Sequence, residues 1–201
     1  VIESTGVFEN YSDAKKHITA GAKKVIITAP GKGNENIDGQ TVLLGINDNE
    51  FNNFNVISNG SCTTNAVAPV IQILNQTIGV EKAILNTIHA YTNTQTIVDT
   101  SAKGDFLRGR AGAQNIIPST TGAATTVTKV IKELENKFDG IAIRVPVVCG
   151  SLADLTFIAK KTTNQEEINN VFITAAQQPL WKNILGISAE PLVSSDIIKT
   201  T

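Results

Sequence analysis

Methionine is absent from the 201 residues, and the chain opens at Val1. Val1 to Ser4 reads as a strand already in progress, so the sequence is expected to be a piece whose beginning is missing. Cysteine occurs only twice, too rarely for a disulfide framework, which favours a reducing compartment such as the cytoplasm. No apolar run approaches the ~20 residues that cross a bilayer. No basic segment leading into an apolar one stands at the start, so no secretory leader is expected. Neither sign of charge dominates: 17 basic against 18 acidic residues leave a net charge of -1. Neither nucleic acid nor a membrane surface is therefore expected as a partner. Histidine also occurs only twice, and no metal site is read from the sequence. What remains is 41% hydrophobic, enough for one large domain or two smaller ones.

The pattern alternates strands and helices. "SDAKKHITAG" predicts a short helix capped by Ser12 and closed at Gly21. "KKVIITAP" predicts a strand stopped at Pro30, and "GKGNENIDGQ" a loop. "TVLLGI" predicts a buried strand and "NVIS" another. Up to Asn59 this is a β-α-β-β-β series, the closing part of an α/β sheet. Beyond Ser61, Val67, Val70, Ile71 and Leu74 mark one face of a helix that contains Pro69. "VEKAILNTIHAYTN" predicts a long strand, and Thr94 to Ser119 a long irregular stretch of the sort that is usually functional or flexible. "GAATTVTKVIKELEN" predicts a helix. "FDGIAIRVPVV" and "SLADLTFIAKK" predict strands of one sheet turning at Cys149-Gly150. Thr163 and Glu166 form a capping-box pattern ahead of a further helix. The expected fold is thus an α/β segment over residues 1–60, followed by an α+β domain with a mixed, largely antiparallel sheet over 61–201.

Within "SNGSCTTN", Cys62 falls in the first turn of a helix capped by Ser61. Unpaired N–H groups and the helix dipole there favour an anion and lower a thiol's pKa. The alternative is a small buried residue near a cap. His89 lies 27 residues on, at the far end of the next strand, which returns toward the helix start. Cys and His in that relation form an activated thiol nucleophile, against which stands a merely hydrogen-bonded histidine. His17, on a polar helix face, and Cys149, without an acidic or histidine neighbour in sequence, are read as structural.

"SNGSCTTN", "HAYTNTQ", "QNIIPSTTGAA" and "RVPV" together resemble the motifs of the phosphorylating glyceraldehyde-3-phosphate dehydrogenase family, in order and spacing. "ESTGVF", "KKVIITAP" and "EPLVSSD" extend the likeness over the whole chain. The resemblance implies that residues 1–60 close a Rossmann-type NAD(P)-binding domain and that 61–201 form a catalytic domain incomplete at its C-terminus. No G-x-G-x-x-G turn occurs here, so the piece alone is expected to be inactive.

The resemblance implies a Cys62 thiolate attacking an aldehyde, His89 as base, and a thioester cleaved by inorganic phosphate. It implies oxyanion donors in the Cys62 N–H and the His89 imidazolium. Attacking phosphate falls to Ser61, Thr63, Thr121 and Gly122, the last opening a helix. The substrate's own phosphate falls to Thr92, Thr94 and Arg144, although a charge in the apolar strand "IAIRVPV" can equally mark a structural salt bridge. Arg108 and Arg110 either add positive field or are solvated loop charges. Ser4, Thr5, Gly6, Phe8 and Thr28 are implied on the cofactor side, Thr28 being otherwise a plain strand residue. The implied cofactor is NAD; Ser101, where NAD-specific relatives often carry Pro, leaves NADP open. The expected substrate is glyceraldehyde 3-phosphate, with erythrose 4-phosphate as the rival and an inactive interaction module as an alternative of another class. The apolar residues of the long loop imply a homotetramer.

Overall fold

The computed structural model describes residues 1–102 and 104–200; Lys103 of the predicted long loop and Thr201 of the second segment lie outside the described residues. Among the described residues, two four-stranded sheets carry the fold. The first holds β1 (Ile2–Glu3), β2 (Val25–Ile27), β3 (Gln40–Thr41) and β4 (Val56–Ser58), in the order β1-β2-β4-β3 and parallel throughout. Helix α1 (Tyr11–Thr19) crosses from β1 to β2 and buries Tyr11 and Ala14 against Val25, Ile27 and Val56. Its cap is Asn10, whose side chain accepts the Ser12 N–H, not Ser12 itself. Gly21, at φ 104°, follows the helix end as its sequence position predicts. The predicted strand "TVLLGI" extends only through Thr41; Val42 and Leu43 are buried, but the chain turns after them.

The second sheet is mixed, in the order β6-β7-β5-β8. Helix α2 (Cys62–Thr77) leads into β5 (Val80–Ala90), β6 (Ile117–Thr120), α3 (Ala123–Val130), β7 (Phe138–Val145), β8 (Ser151–Ala159), α4 (Gln165–Ala176) and the short α5 (Ser194–Ile197). Two expectations are corrected here. The stretch read as structureless to Ser119 ends in β6, a strand paired antiparallel to β7. The helix predicted through "KELEN" stops at Val130, and a tight turn at Lys132–Leu134 follows. As expected, β7 and β8 belong to one sheet. Strand β5 lies between them, parallel to β7 and antiparallel to β8. Helix α4 is capped by Asn164, which accepts the Glu167 N–H, one residue beyond the predicted box.

The main core lies between this sheet and α2 and α3, where Val67, Ile71, Leu74, Leu85, Val127 and Leu134 are fully or almost fully buried. Strand alternation then dictates which residues face that core. Leu85 and Thr87 of β5 and Ala142 of β7 point inward, and the same parity carries His89 and Arg144 to the inner face. Ile84, Ile141, Leu152 and Ile158 stand exposed. The two halves are tied by Lys129 of α3, whose Nζ lies 2.9 Å from Glu35. Glu35 also receives the Tyr11 hydroxyl at 3.2 Å. Burial works against its charge, but the bonds from Lys129 and Thr41 outweigh it and hold its carboxyl below the usual range. Among the described residues no helix is long and apolar enough to cross a membrane.

Candidate active site

Strand β4 ends at Ser58, and the turn Asn59-Gly60-Ser61 delivers the chain into α2. Gly60 sits at φ 67°, which a residue with a side chain adopts only under strain. Ser61 is the N-cap: its Oγ accepts the Thr64 N–H at 3.1 Å. Asn65 reinforces the turn by donating to the Asn59 and Ser61 carbonyls at 2.7 and 2.9 Å. Cys62 is therefore the first residue of a 16-residue helix, and it is exposed.

Because β5 runs back along α2, its far end returns to the helix start. Cys62 Sγ lies 3.4 Å from His89 Nε2. That contact is the main cause holding the thiol at about 7, below its ordinary 9.0; burial opposes it, and bonds from Thr63 add to it. The partner moves the other way. His89 is raised, chiefly by Cys62, against burial and the nearby Arg144 charge. The pair thus leans toward thiolate and imidazolium.

His89 and Arg144 are register partners on adjacent parallel strands. Arg144 Nη1 lies 2.8 Å from His89 Nδ1 and donates to the Ala90 carbonyl at 3.0 Å. His89 Nδ1 is 2.7 Å from the same carbonyl. The two contacts call for opposite tautomers, since Arg144 can only donate to Nδ1 and the carbonyl can only accept from it. With hydrogen on Nδ1 the ring donates to the carbonyl, the arginine keeps its own bond to that oxygen, and Nε2 is left to take a proton from the thiol side. Arg144 has no carboxylate partner among the described residues, so the salt-bridge alternative is not what its strand position serves. Burial, then Arg108, lower its pKa. Arg108 lies within the same field, donating Nη2 to Ser119 at 3.2 Å and pairing with Asp105. Arg110 instead pairs with Asp99 in the loop, at 3.1 Å.

Thr63 is buried beside Cys62. Thr92 and Thr94 join hydroxyls at 3.1 Å just beyond β5. Thr121 Oγ1 accepts the N–H of Ala123, the first residue of α3, at 3.2 Å, and Gly122 is the N-cap of that helix, with no side chain of its own to accept a further N–H. Ser4, Thr5 and Gly6 lie exposed past the end of β1, and Thr28 past the end of β2, where its N–H and Oγ1 donate to the Glu3 carbonyl at 2.9 and 3.2 Å. Asn59 N–H donates to the Ile27 carbonyl at 3.0 Å, so the cysteine turn is seated on that same edge. Phe8 packs edge-on against His17. Cys149, read as structural, is exposed and takes no part in a core.

Sequence reasoning missed Ser58. Its fully buried Oγ donates to the Ala29 carbonyl at 2.7 Å and accepts the Gly31 and Gly60 N–H groups at 3.0 Å each. It pins the cysteine turn to the neighbouring strand end. A hydroxyl in the otherwise apolar "VIS" was the available signal.

Comparison with known proteins assigns the family. The family described as glyceraldehyde 3-phosphate dehydrogenase, C-terminal domain, matches residues 61–201. The chain belongs to the glyceraldehyde-3-phosphate dehydrogenase family. It is 47% identical over 199 residues to the glyceraldehyde-3-phosphate dehydrogenase of Streptomyces coelicolor, covering 98% of this chain and 58% of that protein. It is 48% identical over 198 residues to that of Priestia megaterium, covering 98% and 57%. Glyceraldehyde-3-phosphate dehydrogenase 1 of Bacillus subtilis is 46% identical over 198 residues, with the same shares covered. The chain thus spans under three fifths of the length of these relatives.

Proposed function

We propose that this chain carries the thiol centre of a phosphorylating glyceraldehyde-3-phosphate dehydrogenase, which converts glyceraldehyde 3-phosphate and inorganic phosphate to 1,3-bisphosphoglycerate in glycolysis and gluconeogenesis. The observation that carries this reading is the 3.4 Å contact of Cys62 and His89 at a helix N-terminus. Cys62 thiolate adds to the aldehyde carbon, and the oxyanion is met by the Cys62 N–H and His89 Nε2–H. His89 then holds the hydroxyl proton of the hemithioacetal at Nε2, with the Ala90 carbonyl fixing Nδ1. NAD, when bound, would supply the hydride acceptor that this oxidation needs, and Cys62 would carry the resulting thioester. Inorganic phosphate, held by Ser61, Thr63, Thr121 and the helix start at Gly122, cleaves it. Arg144, Thr92 and Thr94 hold the phosphate of the substrate.

The parallel edge fits the nicotinamide side of a dinucleotide, since ligands of α/β sheets bind beyond the carboxyl ends of strands. A Cβ placed on Gly6 meets nothing, and Ser4, Thr5 and Thr28 are exposed there. Those residues, with Phe8, would hold it. Residues 1–60 are on this reading the close of the dinucleotide-binding domain and 61–201 the catalytic domain. The complete protein is further proposed to be a homotetramer: Ile97, Val98, Phe106, Leu107 and Ile116 of the long loop are 53–86% exposed, an apolar surface suited to a second copy.

The test is dinucleotide reduction by the complete protein. The expected result is turnover that requires both glyceraldehyde 3-phosphate and inorganic phosphate and is abolished by Cys62→Ser. Turnover that survives the substitution overturns the thiol centre. Faster turnover of erythrose 4-phosphate overturns the choice of substrate.

A further inference from the structure

Glu3 is an acid that the proposed chemistry does not use, yet it ends β1 with only 4% of its surface exposed. A carboxylate in such a place is tolerable only if both oxygens find donors. Oε1 accepts the Thr5 N–H at 2.7 Å and also the Thr5 hydroxyl. Oε2 lies 2.6 Å from Nε2 of His17, which comes from α1. The Thr5 hydroxyl in turn accepts the Val7 N–H at 3.1 Å. The Glu3 carbonyl takes both donors of Thr28. One residue therefore organises the exposed Ser4-Thr5-Gly6 turn from its side chain and the adjoining strand end from its main chain. Its second oxygen is fastened by α1, which makes no other hydrogen bond to the turn among the described residues. His17 is itself braced, its ring edge-on to Phe8 at 5.5 Å and 89°.

We propose that His17 and Glu3 are a positioning pair that sets the Ser4-Thr5-Gly6 turn in the conformation that receives the dinucleotide. The inference rests on the reading of that turn as part of the cofactor site. Without the His17 donor, Oε2 is left buried and unpartnered. The carboxylate then rotates or takes a proton, and either change disturbs the Thr5 bonds that shape the turn. His17 acts through Glu3 and touches no reacting atom.

The experiment uses the complete protein and two substitutions at one position. His17→Phe keeps a ring against Phe8 and removes the donor; His17→Gln keeps an N–H donor. His17→Phe is expected to raise the KM for NAD about tenfold, the scale of one lost hydrogen bond to a charged group. It is expected to leave kcat at saturating NAD, and Cys62 alkylation without cofactor, unchanged. His17→Gln is expected to restore most of the KM. An unaltered KM in His17→Phe overturns the pair, as does His17→Gln impaired to the same degree, which would make ring shape the cause. If His17→Phe does not fold, Glu3→Gln takes its place: a raised KM for NAD supports the pair, and an unaltered one overturns it. Gly6→Val separates the premises. If it leaves the KM for NAD unchanged, the turn is not a cofactor site and the underlying reading fails. If it raises the KM while His17→Phe does not, only the positioning pair fails.

Discussion

Replacing His89 with Asn removes the largest influence on the Cys62 thiol, which that histidine holds at about 7 against an ordinary 9.0. Burial pulls upward and the Thr63 bonds pull downward, and both remain, so the variant thiol is expected to move back toward its ordinary 9.0. At pH 7 the thiolate fraction falls from about one half to about one in a hundred. The more basic thiolate is also the better nucleophile, by roughly six- to tenfold for two units at a Brønsted slope of 0.4–0.5. The product of the two effects is alkylation about five- to eightfold slower at pH 7 in His89→Asn, with the pH–rate curves crossing near pH 8 and the variant faster above it. Because thiol and imidazole titrate as a coupled pair, the wild-type midpoint belongs to the pair and not to the sulfur alone. The assay is iodoacetamide modification of Cys62 in the complete protein, followed by mass spectrometry across pH 5.5–10. A variant midpoint that does not move, or curves that never cross, would refute the argument that His89 activates the thiol.

Three further outcomes are expected. Arg144→Leu should raise the KM for glyceraldehyde 3-phosphate on the order of 100-fold, the scale of a lost buried charge contact, and alter turnover of unphosphorylated glyceraldehyde far less; equal effects on both, in steady-state kinetics, would remove Arg144 from the phosphate site. Gly31→Ala places a Cβ 2.2 Å from the ring of Tyr11, which is fully buried, and should cost about 1–3 kcal/mol in urea unfolding, whereas an unchanged midpoint would mean that the ring yields freely. The 201-residue chain by itself, lacking a G-x-G-x-x-G turn, should show no NAD reduction in a spectrophotometric assay, and measurable turnover would show that the turn is dispensable.

Several features were legible in sequence because their causes are local. The cysteine at a helix start follows from Ser61, whose hydroxyl caps the residues next to it. The five-element series before Asn59 follows from β-branched runs punctuated by Gly and Pro. The caps of α1 and α4 were legible only to within a residue or two, since "NYS" and "TTN" each offer competing capping side chains and packing chooses among them. Strand β6 was not legible at all: four residues containing Pro118 carry no period of their own, and β7 alone makes them a strand. Likewise nothing in "VVCGSL" reveals that β5 separates β7 from β8.

The sequence by itself determined the residue types of the candidate site and the order in which they arrive: a capped thiol, a histidine at a returning strand's end, and an arginine inside an apolar strand. Only the tertiary structure decided their partners. Parallel pairing of β5 and β7 sets His89 beside Arg144, and the parallel edge gathers Thr28, Asn59 and the Glu3–His17 pair. Those contacts join residues far apart in the chain. Which groups meet there depends on strand order and register, and these are set by burial of whole faces in a common core rather than by any short stretch of residues.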